Sequence, residues 1–404
     1  MKARIAIIGA GPIGIEAALR ASVDGYEVAV YERDCVGANL LDWGHVTLFS
    51  PWAMNVSPLG LAVLGRLEAP RAEDLLTGRQ MVETYLEPLS KTSELRGKIF
   101  ENTHVVQVGR DRLIKTDLIG DPLRGRHAFR LLLSERDGRE RVAEADIVID
   151  ASGVWGNQNY CGNGSIPAPG ERRHADRISY RIENFANPAM EARYAGKRVL
   201  VVGGGHSAAT TVCGLADLFG RKPSTQAVWA TRRRGPRPLA ELPDDALPYR
   251  AEIVTRANVI AERRQGVEHR MALVEAIASG KERALRVTLR GERGTTDEEF
   301  DYIIANCGFG PDNSLYRELQ FHECYATRGP MKLAGALLGS ATADCLAEVS
   351  HGDESLINPE PGFFVIGIKS YGKLSNFLLK IGREQIESVF RLLEKGEFAA
   401  ASCR

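Results

Sequence analysis

Two glycine-rich segments, about 190 residues apart, are the parts of this chain best suited to bind a phosphorylated ligand. The first reads Gly9-Ala10-Gly11-Pro12-Ile13-Gly14, and the second reads Gly203-Gly204-Gly205-His206-Ser207-Ala208. In each segment the first glycine allows a tight turn, the second lets a pyrophosphate approach the backbone, and the small third residue lets helix and strand pack closely. The pyrophosphate would lie at a helix N-terminus, where free N–H groups and the helix dipole favour negative charge. The sequence therefore predicts two dinucleotide sites.

Each glycine turn is followed by a helix and a second strand, and the residues at the end of that second strand distinguish the two sites. The first turn is followed by an alternating strand that ends at Glu32, with Arg33 next to it. A carboxylate there accepts hydrogen bonds from ribose hydroxyls and repels a 2′-phosphate, so this site suits FAD or NAD. The second turn is followed by a strand and then by Arg232, Arg233 and Arg234. Guanidinium groups suit a 2′-phosphate, which predicts NADPH, and the alternative is a solvated basic loop.

Each glycine turn opens a longer repeated unit. Residues 144–153 and 299–308 both contain an acidic turn, an apolar strand and a small-residue turn ending in glycine, which is Gly153 or Gly308. A hairpin-like stretch precedes each closing strand, and Val106 lies in the first of these. Their period-two alternation is typical of half-buried strands. We therefore expect an α/β fold with two Rossmann-like dinucleotide-binding domains, each carrying an antiparallel hairpin or meander.

This duplicated plan resembles the flavoproteins with two dinucleotide-binding domains, which include thioredoxin reductases, pyridine nucleotide-disulfide oxidoreductases and flavin-containing monooxygenases. The resemblance covers nearly the whole chain and implies FAD in the first domain and NADPH in the second. It also implies that the chain returns to the FAD domain, so that residues 1–163 and 310–404 bind FAD and residues 164–309 bind NADPH. Gly367 would end the last FAD-binding strand. A helix from Asn376 onward would direct its N-terminus at the flavin.

The resemblance leaves the electron acceptor open. Disulfide reductases usually have an aspartate where this chain has Ile368, and the monooxygenase branch often has an apolar residue there. The FxGxxxH motif of flavin-containing monooxygenases is, however, absent from residues 180–188. We expect an FAD- and NADPH-dependent oxidoreductase that transfers oxygen to a small-molecule substrate. The alternatives are reduction of a small metabolite, quinone or partner disulfide, and a non-enzymatic flavin sensor. No catalytic residue is predicted.

The cysteines do not indicate a local redox pair. The seven are scattered and none has CxxC or CxxxxC spacing, so neither a thioredoxin-like motif nor a zinc site is predicted. Most are expected to be buried thiols. Cys324 and Cys345 flank a helical stretch and are the one candidate pair.

Length and composition indicate a globular protein of two or three domains. The 52 basic and 52 acidic residues balance, which gives no indication of a nucleic-acid partner. No apolar run reaches the roughly 18 residues of a membrane helix, and a first strand from Arg4 leaves no room for a signal peptide. We expect a cytoplasmic protein without a membrane partner. By resemblance, a homodimer is the oligomer to test for.

Overall fold

The structure, a computed structural model, describes residues 2–65, 69–233, 235–264, 266–339 and 351–396. Within these residues the chain forms two compact units. The first unit comes from residues up to Asn157 and from Gly310 onward, and the second unit is Gln158–Phe309. The sequence predicts these boundaries after residues 163 and 309, whereas the two units divide after Asn157 and Phe309. Cys345, Cys403 and Arg234 lie outside the described residues.

The first unit is built on a parallel sheet and a smaller antiparallel sheet. Its strands are β1 (Arg4–Ile8), β2 (Glu27–Tyr31), β3 (Ile99–Phe100), β4 (Thr103–Arg110), β5 (Phe129–Glu135), β6 (Glu140–Ala145), β7 (Ile147–Asp150) and, after the second unit, β16 (Phe363–Val365). The parallel sheet has the order β16-β7-β1-β2-β3, and the antiparallel sheet has the order β4-β5-β6. Strands β7 and β16 are buried along their whole length, as expected for parallel strands covered on both faces.

The second unit repeats this plan. Its strands are β8 (Ile178–Ser179), β9 (Arg198–Val202), β10 (Gln226–Thr231), β11 (Val267–Met271), β12 (Leu273–Ser279), β13 (Leu285–Gly291), β14 (Gly294–Phe300) and β15 (Tyr302–Ala305). The parallel order is β11-β10-β9-β15-β8 and the antiparallel order is β12-β13-β14. The predicted α/β fold with two Rossmann-like units, each carrying an antiparallel meander, is therefore confirmed.

Helices follow the first strand of each unit and cover the parallel sheets. The helices of the first unit are α1 (Pro12–Val23), α2 (Ala38–Asp42), α3 (Trp52–Asn55), α4 (Pro58–Leu64), α5 (Gly78–Met81), α6 (Glu87–Ser90), α10 (Met331–Gly339) and α11 (Leu379–Lys395). Those of the second unit are α7 (Pro188–Tyr194), α8 (His206–Arg221) and α9 (Pro248–Arg263). In the described part of the chain, no helix has the length and apolarity needed to cross a membrane.

The second unit begins and ends at adjacent positions. Gln158 and Phe309 form an antiparallel bridge, and the Asn159 amide donates to the Gly308 carbonyl at 2.9 Å. The unit is therefore a single continuous insertion into the sequence of the first unit.

A buried ion cluster joins the returning segment to the first unit. Arg110 Nε lies 2.7 Å from Glu360 Oε1, and Arg124 Nε lies 3.0 Å from the same oxygen. All three side chains have no exposed surface. Burial lowers the pKa of Arg110, and the Glu360 carboxylate opposes that shift. Glu360 Oε2 also accepts from the Gln320 amide at 2.7 Å, so one carboxylate holds several separate segments together.

The last helix begins later than its apolar pattern predicts. Helix α11 starts at Leu379, and Leu378 before it is extended, with φ −123° and ψ 152°. The expectation of a helix from Asn376 is therefore wrong by about one turn. The Phe377 ring packs against Tyr371 with ring centroids 5.4 Å apart, so its apolar side chain is partly buried without helical backbone.

Candidate functional site

The first glycine turn joins β1 to α1, and its three glycines have different surroundings. Gly9 has φ +98°, and a Cβ there would lie 2.9 Å from the Ala151 carbonyl oxygen. A Cβ on Gly14 would lie 1.9 Å from the Gly9 carbonyl oxygen. Both positions need glycine for the fold itself. Gly11, in contrast, has φ −77°, and a Cβ there would meet no atom within 4 Å. The space beside Gly11 is open, as a pyrophosphate cradle requires.

The N-terminus of α1 provides the charge that such a cradle needs. Gly11 is the N-cap and has no side chain to accept from the first-turn amides. Pro12 carries no N–H, so the first available donors are the amides of Ile13 and Gly14, which have no partner within the helix. The helix dipole adds partial positive charge at the same end. The turn therefore fits an anionic pyrophosphate.

Glu32 lies half-buried against this turn. Its Oε2 accepts from the Ala10 amide at 2.8 Å, and its Oε1 accepts from the Asp34 amide at 2.9 Å. A carboxylate has about four acceptor sites, so two remain for ribose hydroxyls. Arg33 is exposed, and its Nε lies 3.3 Å from Asp34 Oδ2. The acid is held at the edge of the cradle, as its spacing from the glycines predicts.

Val106 lies at a β-bulge of the antiparallel sheet. The pairing of β4 with β5 shifts register between Val105 and Gln107, which leaves Val106 out of the ladder. The pairing of β12 with β13 shifts at the corresponding place, between Val274 and Ala276. Val106 is 38% exposed. The predicted site residue therefore lies at an exposed irregularity of the antiparallel sheet.

A buried lysine lies where β7 and β16 end, and the sequence analysis missed it. Lys369 Nζ lies 2.6 Å from Asp150 Oδ2 and 3.0 Å from Ser152 Oγ, and Lys369 is 1% exposed. Lys369 lies two residues after Gly367, and Asp150 lies three residues before Gly153. Gly367 has φ +72° and Gly153 has φ +73°. The ion pair therefore fixes both turns at the carboxyl edge of the sheet. A lysine three residues after the apolar run 363–366 was the available signal.

The second glycine turn has the same division of roles. Gly203 has φ +142°, and a Cβ there would lie 2.3 Å from the Asn306 carbonyl oxygen. A Cβ on Gly205 would meet nothing within 4 Å. Helix α8 begins at His206 without a side-chain cap, which leaves the amides of the first turn, including Ser207, without a partner in the helix. Ala208 is fully buried against the strand. This turn also fits a pyrophosphate. The Gly308 turn, with φ +80°, follows β15 in the same unit.

The predicted arginines follow β10. Arg232 and Arg233 are both exposed, and neither is ion-paired with a carboxylate in the described ranges. Arg237, which follows four residues after Arg233, differs. It pairs with Glu241 and lies 3.0 Å from Glu262, so its charge is already compensated. Two exposed guanidinium groups therefore lie at the end of this strand, where the sequence predicts a 2′-phosphate.

The described cysteines are free thiols, and most are poor nucleophiles. Burial raises the pKa of Cys161, and it raises that of Cys213 to about 11 and that of Cys307 to about 12. Cys35 is exposed, yet partial burial and nearby carboxylates raise its pKa too. Burial also acts on Cys324, but hydrogen bonds from Thr327 and Ala326 outweigh it and lower the pKa of that thiol.

The part of the chain that the structure describes contains no evident metal site. No group of three or more His, Cys, Asp or Glu side chains there could hold a metal ion.

Comparison with known proteins identifies the family. The family model described as pyridine nucleotide-disulphide oxidoreductase matches residues 3–325, which include both glycine turns. The chain belongs to this family. No curated protein matches the chain in sequence. Family membership and two turns that each leave room for a pyrophosphate identify the chain as an oxidoreductase with FAD and NADPH as cofactors.

Solved structures of similar fold include both reductases and monooxygenases. Bacillithiol disulfide reductase Bdr (YpdA) from Bacillus cereus has a TM-score of 0.71 and 17% identity, covering 98% of this chain and 100% of that chain. The FAD-bound cadaverine monooxygenase DfoA from Erwinia amylovora has a TM-score of 0.65 and 12% identity, covering 100% and 97%. Ornithine hydroxylase PvdA from Pseudomonas aeruginosa has a TM-score of 0.62 and 15% identity, covering 98% and 99%. At these identities the likeness concerns the fold.

Proposed function

We propose that this chain is a monooxygenase that uses NADPH and dioxygen to oxygenate a small-molecule substrate. NADPH, a proton, dioxygen and the substrate would give NADP⁺, water and the oxygenated substrate. When bound, FAD supplies the redox chemistry by accepting a hydride from NADPH and passing on its two electrons. The protein supplies binding and orientation.

The chain's own residues divide this binding between two sites. The cradle at Gly11 and the N-terminus of α1 would hold the FAD pyrophosphate, with Glu32 on the adjoining ribose. The turn at Gly205 would hold the NADPH pyrophosphate. Arg232 and Arg233 would bind its 2′-phosphate, because paired guanidinium donors match phosphate oxygens.

The pairing and pKa values of the cysteine thiols favour a monooxygenase over a disulfide reductase. A reductase that relays electrons through its own disulfide needs two thiols close enough to bond and one that ionises readily. All the cysteines that the structure describes are unpaired. Burial raises the pKa of Cys161, Cys213 and Cys307, so these thiols stay protonated at neutral pH. The names of two similar structures, cadaverine monooxygenase and ornithine hydroxylase, make primary amines the first substrates to test.

A disulfide reductase is the second candidate, and Cys324 favours it. The lowered pKa of this thiol gives it more thiolate than the other described cysteines. A protein of similar fold is named as a bacillithiol disulfide reductase. In this alternative Cys324 would attack a disulfide of a small molecule or partner, with Cys345 as its candidate resolving thiol.

An isotope experiment separates the two candidates. FAD-loaded protein is supplied with NADPH and isotopically labelled dioxygen, and cadaverine, ornithine and simple sulfides are offered in turn. A monooxygenase should consume NADPH faster with its substrate, release less hydrogen peroxide per NADPH, and place labelled oxygen in the product. Cys324→Ser should leave that activity unchanged. NADPH-driven cleavage of a disulfide without oxygen, lost in Cys324→Ser, would overturn the proposal in favour of the reductase.

A further inference from the structure

A histidine on the neighbouring strand contacts the arginine-bearing turn of the second unit. His269 lies on β11 directly opposite Trp229 of β10. Thr231 lies two residues after Trp229 on the same strand, so the side chains of Trp229 and Thr231 point to the same face of the sheet. His269 Nε2 lies 2.8 Å from Thr231 Oγ1. His269 therefore reaches the last residue of β10, just before Arg232.

The Thr231 hydroxyl lies between the histidine and the turn. Thr231 Oγ1 lies 3.1 Å from the Arg233 carbonyl oxygen and 2.8 Å from His269 Nε2, and the tautomer of the ring decides which of these two bonds uses the hydroxyl hydrogen. Burial lowers the pKa of His269, and a hydrogen bond with the Gly235 backbone opposes that shift. The ring is thus joined to the turn on both sides of Arg233.

Trp229 connects His269 to the second glycine turn. The Trp229 indole Nε1 donates to the Gly203 carbonyl oxygen at 2.8 Å. Trp229 is fully buried, and its ring meets the His269 ring edge-on with centroids 5.6 Å apart. A continuous set of contacts therefore runs from the first glycine of the turn to the arginines that follow β10.

We propose that His269 is a positioning residue for the selection of NADPH over NADH. Through its hydrogen bond with Thr231, it holds the backbone of the turn so that Arg232 and Arg233 present their guanidinium groups to the 2′-phosphate. The inference rests on the proposed role of these two arginines. It adds a residue on another strand, 36 positions after Arg233 in the chain, that sets their geometry.

The test compares ligands that differ only in the 2′-phosphate. His269→Phe keeps an aromatic ring beside Trp229 but cannot form the hydrogen bond with Thr231, and Thr231→Val keeps the shape of the side chain without its hydroxyl. Dissociation constants for NADP⁺ and NAD⁺ are measured by calorimetry on the FAD-loaded protein. Each variant should bind NADP⁺ about tenfold more weakly, the equivalent of one hydrogen bond, and NAD⁺ as the wild type does. In the variants, the amides of Arg232, Arg233 and Gly235 should also exchange with deuterium faster before any nucleotide is added.

A matched control and a double variant identify the cause. Thr288→Val removes a threonine hydroxyl elsewhere in the second unit, where it bonds Asp297, and should alter neither constant. Adding His269→Phe to Arg233→Ala should cost less than the sum of the single changes, because both act on one contact. Equal weakening of NADP⁺ and NAD⁺, or no weakening of either, would overturn the role of His269. If Arg233→Ala and Arg232→Ala themselves leave the preference unchanged, the proposed phosphate site fails instead.

Discussion

Replacing Gly11 with alanine should weaken FAD binding without weakening the fold. The backbone at Gly11, with φ −77°, is one that alanine adopts readily. An added Cβ would meet no protein atom within 4 Å. The apoprotein should therefore be as stable as the wild type, or more stable by about 0.4–1 kcal/mol, because alanine restricts the unfolded chain.

The loss of FAD affinity follows from the space that the methyl group would occupy. It would displace the pyrophosphate from the amides at the start of α1. Losing one hydrogen bond to a charged group costs about 1.5–3 kcal/mol, which corresponds to a dissociation constant roughly 10- to 150-fold higher. The effect should be confined to FAD, because NADPH has its own turn at Gly205.

The assay titrates FAD into the deflavinated protein and follows quenching of flavin fluorescence, with urea unfolding of the apoprotein measured in parallel. Gly14→Ala is the matched control: its Cβ would lie 1.9 Å from the Gly9 carbonyl oxygen, so this variant should lose stability. Gly205→Ala should weaken NADP⁺ and leave FAD binding intact. Wild-type FAD affinity in Gly11→Ala, or an apoprotein that unfolds more easily, would refute the reasoning.

Two further changes test the ion pairs. Glu360→Gln removes the charge that balances its two buried arginine partners. In urea unfolding it should lower the free energy of unfolding by about 3–5 kcal/mol. The control Glu144→Gln changes an exposed carboxylate and should unfold as the wild type does. In the second unit, a hydrogen bond from Arg250 holds the pKa of Asp245 below its usual range. The ionised Asp245 therefore stabilises the folded protein, and this stabilisation is fully present above about pH 4 and is lost as the pH falls below that value. Thermal unfolding of Asp245→Asn should therefore show a smaller loss of stability between neutral and acid pH than the wild type.

The sequence identified the two turns because their requirements are local. Gly9 and Gly203 must adopt positive φ beside a neighbouring strand, and few residues other than glycine do so. The open positions at Gly11 and Gly205 follow at fixed spacing from these. For the same reason the α/β alternation and the duplicated meander could be predicted from periodicity alone.

Long-range pairings could not be predicted in this way. Lys369 and Asp150 are 219 residues apart in the chain, and Arg110 and Glu360 are 250 residues apart. Nothing local to a lysine or an arginine specifies which distant carboxylate will neutralise it. The start of α11 was misplaced for a related reason, because Phe377 packs against the core from an extended segment that precedes the helix.

Because its two ends are adjacent, the second unit could be exchanged for a homologous unit as one continuous segment. Because Gln158 and Phe309 are bridged strand to strand, the rest of the chain is interrupted by this unit at a single place. Domains whose termini lie close together tolerate insertion and transplantation. The coenzyme preference could therefore be replaced wholesale, by grafting a homologous segment between these two residues, while the FAD-binding framework keeps its own sequence.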